Sequence, residues 1–249
     1  MIPALIFFDL DKTLAASKEP LTPEMAELLK QLLHRTDVAV ISGGAFAQLK
    51  QQVVDQLPED TNLERLSILP TSGAALYAFK DGFWTPLYEE RLTDAQATHI
   101  RTAIETAVQE TGIINSTTHS YGERIEFRGS QVTFSALGQQ APIVEKAAWD
   151  EDGAKKRMLR DAIAPMLPEF DVKIGGATSI DITLHGVNKA YGVRQVGKCK
   201  SILIEDMLYI GDALYAGGND EVVKETGITT RQVKDPEDTM HVITELLHS

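Results

Sequence analysis

The chain has 249 residues, 43% of them apolar, which is enough for a buried core, and a formal net charge of −12 at pH 7. An acidic balance of this size argues against nucleic-acid binding, because a phosphate backbone is bound by clustered lysine and arginine. The single cysteine excludes an internal disulfide, and no apolar stretch approaches the ~20 residues of a membrane span, so the composition predicts a cytoplasmic protein without a membrane partner.

The first third of the chain predicts alternating strands and helices. An apolar strand over residues 4–9 is followed by a helix with Thr22 as its N-cap. A second buried strand at Val38–Ile41, a helix over 45–57 and a third strand at Leu66–Leu69 come next. This order predicts an open α/β sheet with parallel strands and right-handed crossovers.

The middle of the chain has a different pattern, in which short strands alternate polar and apolar residues around turn signals. Its predicted elements are hairpins with turns at 80–82 and 128–130, helices over 94–110 and 142–164, and strands over 170–174 and 180–184. Antiparallel strands accompanied by two helices indicate a separate α+β unit.

The last quarter returns to the α/β pattern, with a helix after Lys189, a strand ending at Gly211 and a final helix after Asp235 as N-cap. The predicted fold class is therefore α/β, with a Rossmann-like parallel sheet and an inserted α+β cap. The predicted domains are a core formed by residues 1–84 and 187–249 and a cap formed by residues 85–186.

Two aspartates stand where the first strand ends. Because side chains alternate along a strand, Asp9 and Asp11 face the same way, and two neighbouring carboxylates are costly to keep ionised. A hard cation such as Mg²⁺ offsets this repulsion, and one carboxylate can then attack an electrophile while the other transfers a proton. Taken alone, the pair could equally well cap a turn after a core strand.

Three more polar groups follow strand ends or open helices, where open α/β sheets bind ligands. Ser42 follows the second strand, and Gly43 and Gly44 leave backbone N–H groups free to approach an anion. Lys189 opens a helix, and residues 211–220 join a strand end to an acidic loop. Singly, each has an ordinary explanation, such as a strand terminator, a surface lysine or a turn former.

Together, the four groups occur in the order of one mechanism and predict phosphoryl transfer. Asp9 is the candidate nucleophile and Asp11 the acid and base, while Ser42 and Lys189 bind the phosphoryl oxygens. The candidate ligands of a Mg²⁺ ion are Asp9, Asp11, Asp212 and Asp220.

The same segments resemble the four motifs of the haloacid-dehalogenase superfamily of phosphotransferases, and the inserted unit resembles the cap of its class IIB members. The segments at 128–138, 175–181 and 236–239 are most similar to those of the eukaryotic-type phosphomannomutases. The resemblance implies Mg²⁺ as cofactor, a small phosphorylated substrate and a homodimer formed through the cap. The candidate substrate-binding residues are Lys18, Gly43, Gly44, Arg128, Lys146, Ser179 and Asp181.

The chain departs from the mutase pattern at four positions. Lys12 stands where glycine is usual, Gln139 where arginine is expected, and Lys18 and Lys146 at two more arginine positions. Arginine binds phosphate with a planar fork, whereas lysine is a point charge and glutamine carries none. Because a mutase must hold the distal phosphate of a sugar bisphosphate, these departures favour a Mg²⁺-dependent phosphatase of a small phosphate ester, expected to be a sugar phosphate. The alternative is a phosphohexomutase, a phosphomannomutase in particular.

Two other classes agree less well with the sequence. Receiver domains also unite an acidic pair, a phospho-accepting aspartate, a hydroxyl and a lysine, but they are shorter and carry no inserted cap. A binding module that has lost catalysis would not need the chemical residues, all of which are present.

Overall fold

The computed structural model describes residues 2–115 and 118–248. The chain divides into two compact units, of which the first takes Met1–Glu89 with Asn188–Ser249 and the second takes Glu90–Val187. The first boundary falls after Glu89 rather than after residue 84, because a strand of the first unit continues to Glu89. Within the described ranges, no helix combines the length and apolar character that crossing a membrane would require.

Strands and helices alternate in the two terminal parts of the chain, as the sequence pattern predicts. The strands are β1 (Leu5–Asp9), β2 (Asp37–Ile41), β3 (Leu66–Leu69), β4 (Ala75–Lys80), β5 (Phe83–Glu89), β6 (Ile125–Phe127), β7 (Gln131–Ser135), β8 (Phe170–Ile174), β9 (Ser179–Leu184), β10 (Met207–Gly211) and β11 (Thr229–Gln232). The helices are α1 (Pro23–Arg35), α2 (Phe46–Gln52), α3 (Asp94–Thr111), α4 (Ile143–Trp149), α5 (Ala154–Ile163), α6 (Lys189–Lys200) and α7 (Pro236–Leu247).

The first unit is built on one sheet with the strand order β11-β10-β1-β2-β3-β4-β5. The strands from β11 to β3 pair in parallel, which confirms the predicted α/β class. The hairpin predicted around residues 80–82 is formed by β4 and β5, which pair antiparallel and extend this sheet rather than the middle unit. Three neighbouring strands, β10, β1 and β2, therefore end side by side at one edge.

Strand β1 lies at the centre of this sheet and is buried on both faces. Ile6 and Phe8 pack with residues of α1 and α7, whereas Leu5 and Phe7 pack on the opposite face with residues of α6. A near-continuous apolar run is typical of a parallel strand that is covered by helices on both sides. Thr22 accepts the Met25 N–H and so caps α1 as predicted.

The second unit contains the antiparallel sheet β6-β7-β9-β8. Ile100 and Ile104 of α3 and Leu159 and Ile163 of α5 form a core with the apolar face of this sheet. Because side chains alternate along β7, polar residues of that strand lie on its other face. This unit agrees with the predicted α+β insertion.

Two predicted helices are longer than the observed ones. The predicted helix over 142–164 is wrong as a single element, because Gly153 has a φ of +70° between α4 and α5. The Asp150 carboxylate accepts the backbone N–H groups of Lys155 and Lys156 and so starts the second helix. The predicted helix over 45–57 ends early, since a 3-10 turn at Val54–Gln56 follows α2.

Candidate active site

The carboxyl ends of three adjacent strands bring the predicted motifs together. Asp9, the last residue of β1, pairs with Ile41 of β2, so Ser42 follows immediately beside it. On the other side Phe8 pairs with Ile210 of β10, and Asp212 emerges next to Asp9. Parallel pairing thus places residues that lie far apart in the sequence at one edge of the sheet, the usual ligand position of such folds.

A buried lysine joins two of the aspartates. Lys189, the first residue of α6, donates from Nζ to Oδ1 of Asp9 and to Oδ1 of Asp220, each at 2.5 Å. The relative exposure of Lys189 is 3%, and that of Asp220 is 0%. Lys189 is therefore not a surface lysine, and the ordinary explanation of this residue is wrong.

The Asp220 carboxylate accepts hydrogen bonds from three donors. Oδ1 accepts from Lys189 and from the Tyr209 hydroxyl at 2.6 Å, and Oδ2 accepts from the Ala213 N–H at 3.2 Å. A Cβ atom on Gly211 would lie 2.5 Å from Oδ2, so the close approach requires glycine. The Asp220 carboxylate is thus held by hydrogen bonds at both of its oxygens.

Three carboxylates form a cluster that could hold a metal ion. Within the described part of the chain, Asp9, Asp212 and Asp220 each offer a carboxylate oxygen within 4.8 Å of the others. An all-oxygen donor set with excess negative charge suits a hard divalent cation. Because Asp220 already accepts three hydrogen bonds, Asp9 and Asp212 are the members best able to give an oxygen to a metal.

Asp11 does not belong to that carboxylate cluster. Its Oδ1 accepts the backbone N–H of Lys18 at 2.6 Å, and both Lys12 and Lys18 have a positive φ, of 63° and 65°. The chain thus folds back over this carboxyl group. The expectation that the Asp11 side chain is a fourth metal ligand is not supported by this geometry, whereas a proton-transfer role needs no place in the cluster.

Ser42 and the two glycines after it form a tight turn. The Gly44 N–H donates to the Ser42 hydroxyl oxygen at 3.3 Å, so the expectation that this N–H is free for an anion is wrong. The Ser72 N–H donates to the Ser42 carbonyl and the Thr71 N–H to the Gly44 carbonyl, at 2.8 and 2.9 Å. The turn is therefore fixed from both sides, with Gly43 between its two anchored residues.

Thr13 and Tyr209 are not among the residues predicted for the site. The Thr13 hydroxyl accepts the Asp212 N–H at 3.0 Å and so ties the first motif to the last. Tyr209 carries a hydroxyl in the apolar strand β10, three residues before Asp212. That single polar atom is the only signal in the sequence that could have indicated its role.

The buried charges of the site oppose each other. Burial raises the pKa of the Asp9 carboxyl from 3.8 to about 7; Lys189 lowers it, and Asp220 and Asp212 add to the rise. Burial alone would lower the pKa of Lys189, but the Asp220 and Asp9 carboxylates outweigh it and hold the pKa above its usual value. Lys189 is thus charged at neutral pH, while Asp9, even beside this ammonium, ionises only near neutrality when no metal ion is bound.

The raised pKa of Asp9 predicts a pH-dependent stability of the metal-free protein. The folded state keeps the proton of Asp9 up to about pH 7, whereas the unfolded chain releases it near pH 4, so the unfolding free energy falls across this window. Asp9→Asn should make the slope of the unfolding free energy against pH shallower by up to ~1.4 kcal/mol per pH unit. Urea unfolding of both proteins from pH 4.5 to 7.5 without divalent cations measures this difference, and equal slopes would contradict it.

The predicted substrate-binding residues of the second unit lie on or next to its sheet. Arg128 donates from Nε and Nη2 to Oε2 of Glu126, at 2.9 and 2.6 Å. Lys146 is buried, and its Nζ donates to the Gln139 carbonyl at 2.8 Å. The structure thus directs Lys146 into the unit, and the expectation that it is an available phosphate ligand is not supported.

Ser179 and Asp181 lie on β9, directly opposite polar residues of β7. Ser179 pairs with Ser135, and Asp181 pairs with Thr133, whose hydroxyl donates to Oδ1 of Asp181 at 2.8 Å. Burial raises the pKa of Asp181, and the hydrogen bond from Thr133 partly counters the rise. The sheet therefore brings hydroxyl and carboxyl groups together on one face, where Thr133 and Ser135 are themselves buried. Hydroxyl and carboxyl groups are the chemistry that binds sugar hydroxyls.

The family model of the eukaryotic phosphomannomutases matches residues 25–249 of this chain. Phosphomannomutases of Triticum aestivum and Spinacia oleracea are 28% and 24% identical to it. These alignments cover 95% and 98% of this chain and 92% and 96% of the relatives. The second leaves only about 2% of this chain unaligned, so it includes the first motif, which precedes the range matched by the family model.

The fold is shared with solved structures, two of which are described here. The IMP-nucleotidase of Plasmodium falciparum superposes with a TM-score of 0.72 at 16% identity, covering 99% of this chain and 67% of that one. A trehalose-6-phosphate phosphatase related protein superposes with a TM-score of 0.55 at 16% identity, covering 98% and 97% of the two chains. At these identities the superpositions are evidence for the fold alone.

Proposed function

Because the chain belongs to the eukaryotic phosphomannomutase family of the haloacid-dehalogenase superfamily, we propose that it is a phosphohexomutase. The proposed reaction moves a phosphoryl group between two positions of a hexose through an aspartyl-phosphate on Asp9. The observation that carries the choice of a mutase is the extent of the family match, which includes the whole second unit. The proposal reverses the expectation of a phosphatase, which is based on the replacement of arginines of the mutase pattern.

In the proposed reaction, Asp9 attacks the phosphorus atom of a sugar bisphosphate. Lys189 donates to Oδ1 of Asp9, so we take Oδ2 as the attacking oxygen, while Oδ1 keeps a second lone pair for a metal ion. The bond from phosphorus to the sugar oxygen breaks, and Asp11 donates a proton to that oxygen. In the return step a hydroxyl of a hexose monophosphate attacks the phosphoryl group on Asp9, and Asp11 accepts the proton of that hydroxyl.

Positive charge is essential for this chemistry, because the phosphoryl group carries negative charge into an acidic site. Lys189 remains protonated and neutralises part of it, and Ser42 offers a hydroxyl donor to a phosphoryl oxygen. Asp9 and Asp212 are the residues that would hold Mg²⁺, with Asp220 behind them. A bound Mg²⁺ ion would supply the charge that favours the ionised carboxylates and neutralises the phosphoryl oxygens.

The second unit is proposed to be the cap that selects the substrate. Ser179 and Asp181 would bind sugar hydroxyls from the polar face of its sheet. Arg128 would bind the distal phosphate after exchanging its bond to Glu126 for one to the phosphate, since both acceptors suit its planar fork. The homodimer through this unit stays a prediction.

A phosphatase is the second candidate, and specific features of the second unit favour it. Gln139 carries no charge, and the Lys146 ammonium is bonded to a backbone carbonyl inside the unit. Fewer cations then remain for a distal phosphate, which a mutase must hold while the sugar turns over. In a phosphatase, water instead of a sugar hydroxyl would attack the phosphoryl group on Asp9.

The two candidates differ in their product. The protein is incubated with Mg²⁺, mannose-1-phosphate and a trace of glucose-1,6-bisphosphate, and the reaction is followed by ³¹P NMR. A mutase converts the substrate to mannose-6-phosphate without free phosphate and depends on the bisphosphate. Release of free phosphate at the rate of substrate loss, with or without the bisphosphate, would overturn the mutase in favour of the phosphatase. The Asp9→Asn variant is the control for contaminating activity.

A further inference from the structure

Tyr209 is a buried polar residue that the proposed mechanism does not use. Its ring is fully buried in β10 and stacks on Phe7 of β1, with the ring centroids 6.2 Å apart. Its hydroxyl donates to Oδ1 of Asp220 at 2.6 Å. A phenylalanine could fill the same apolar space without the cost of burying a hydroxyl, so the hydroxyl itself calls for a reason.

The hydroxyl lies at the end of a continuous chain of hydrogen bonds. Oδ1 of Asp220 accepts from both Tyr209 and Lys189, and Lys189 in turn donates to Oδ1 of Asp9. Tyr209 lies in β10, Lys189 in α6, Asp9 in β1 and Asp220 in the loop after β10. The hydrogen bonds therefore link four segments of the fold. Because the Ala213 N–H holds the other oxygen of Asp220, the carboxylate is fixed at both oxygens.

We propose that Tyr209 is a positioning residue, whose hydroxyl fixes the Asp220 carboxylate in the orientation that aims the Lys189 ammonium at Asp9. Without the hydroxyl, Oδ1 of Asp220 is held by Lys189 alone, and Oδ2 keeps only the longer 3.2 Å bond from the Ala213 N–H. The carboxylate then tilts more easily, and the ammonium of Lys189 shifts relative to Asp9. Misplacement of a group beside the nucleophile slows the chemical step more than substrate binding. The proposal rests on the proposed function in one respect, namely that Asp9 is the reacting group.

The test compares Tyr209→Phe in two backgrounds. In the wild-type background we expect kcat for phosphoryl transfer to fall about ten-fold, with KM within two-fold, as for other partners that orient a site residue. In the Asp220→Ala background the same substitution should change kcat less than two-fold, because no acceptor for the Tyr209 hydroxyl remains at position 220. Tyr88→Phe is the matched control, since the Tyr88 hydroxyl donates to the backbone carbonyl of Gly73 in the same unit.

The outcomes separate this proposal from a general loss of packing. An unchanged kcat in Tyr209→Phe, an equal loss in both backgrounds, or an equal loss in Tyr88→Phe would overturn it. A second readout needs no activity: urea unfolding of the substrate-free protein should show non-additive effects for Tyr209→Phe and Lys189→Met. Additive effects would contradict the hydrogen-bond chain. If the two substitutions have non-additive effects on the unfolding free energy but the wild-type protein transfers no phosphoryl group, the proposed function is overturned and the hydrogen-bond network of Tyr209 is retained.

Discussion

Replacing Asp9 with asparagine is expected to lower the rate of phosphoryl transfer at least about 10⁴-fold, because an amide does not form the covalent phosphate intermediate. The variant should keep its fold, since asparagine occupies the same volume and removes one charge from an acidic cluster. Initial rates with a hexose phosphate, and the mass of the protein after rapid acid quenching, measure the activity and the phosphorylated intermediate.

Asp37→Asn is the matched control for this loss of a carboxylate. Asp37 lies at the amino end of β2, at the opposite edge of the same sheet, where it accepts from Lys200 at 2.8 Å. This variant should retain its activity and still show the added mass of one phosphoryl group after quenching. If Asp9→Asn kept more than a small fraction of the wild-type rate, Asp9 would not be the nucleophile, and the proposed mechanism would fail.

Replacing Lys189 with methionine should remove activity and also lower the unfolding free energy by about 3–5 kcal/mol, the usual cost of leaving buried charges without a partner. Lys189 is 3% exposed, and its ammonium is bonded to both Asp9 and Asp220. Because the pKa of Lys189 is raised, its contribution is complete at neutral pH and is lost only at strongly alkaline pH. Urea unfolding at pH 7.5 without divalent cations gives the free energy.

Lys200→Met provides the comparison, because Lys200 pairs with Asp37 at the partly exposed end of the sheet. Such a pair contributes at most about 1 kcal/mol. Combining Lys189→Met with Asp9→Asn should restore part of the stability, because asparagine does not incur the cost of burying or protonating a carboxyl group that has lost Lys189. Equal losses of unfolding free energy in the Lys189 and Lys200 variants would show that the ion pairs of Lys189 with Asp9 and Asp220 do not behave as buried ones.

The motif positions could be predicted because they depend on local patterns. Asp9, Ser42 and Asp212 each follow an apolar strand, and parallel strands with helical crossovers bring their carboxyl ends to one edge. The N-cap residues likewise identified the starts of α1 and α7 from a few neighbouring residues. These signals need no knowledge of the tertiary contacts.

The remaining details depend on tertiary contacts that no local pattern contains. Tyr209 reads as one more apolar residue of β10 until Asp220 is placed beside its hydroxyl. Lys146 belongs to a charged segment and gave no sign that it folds inward onto the Gln139 carbonyl. The hairpin of β4 and β5 has an antiparallel pattern, and its assignment to the first sheet follows only from its pairing with β3.

The pairing of β1 also has a consequence for how this chain is made. One neighbour of β1 is β2, but the other is β10, and the Asp9–Lys189 pair spans 180 residues of sequence. At a synthesis rate of roughly 5–20 residues per second, an apolar central strand waits on the order of ten seconds or more for its second partner. During that time one edge of β1 is open to other chains. Newly made protein should thus be most prone to aggregation before β10 leaves the ribosome.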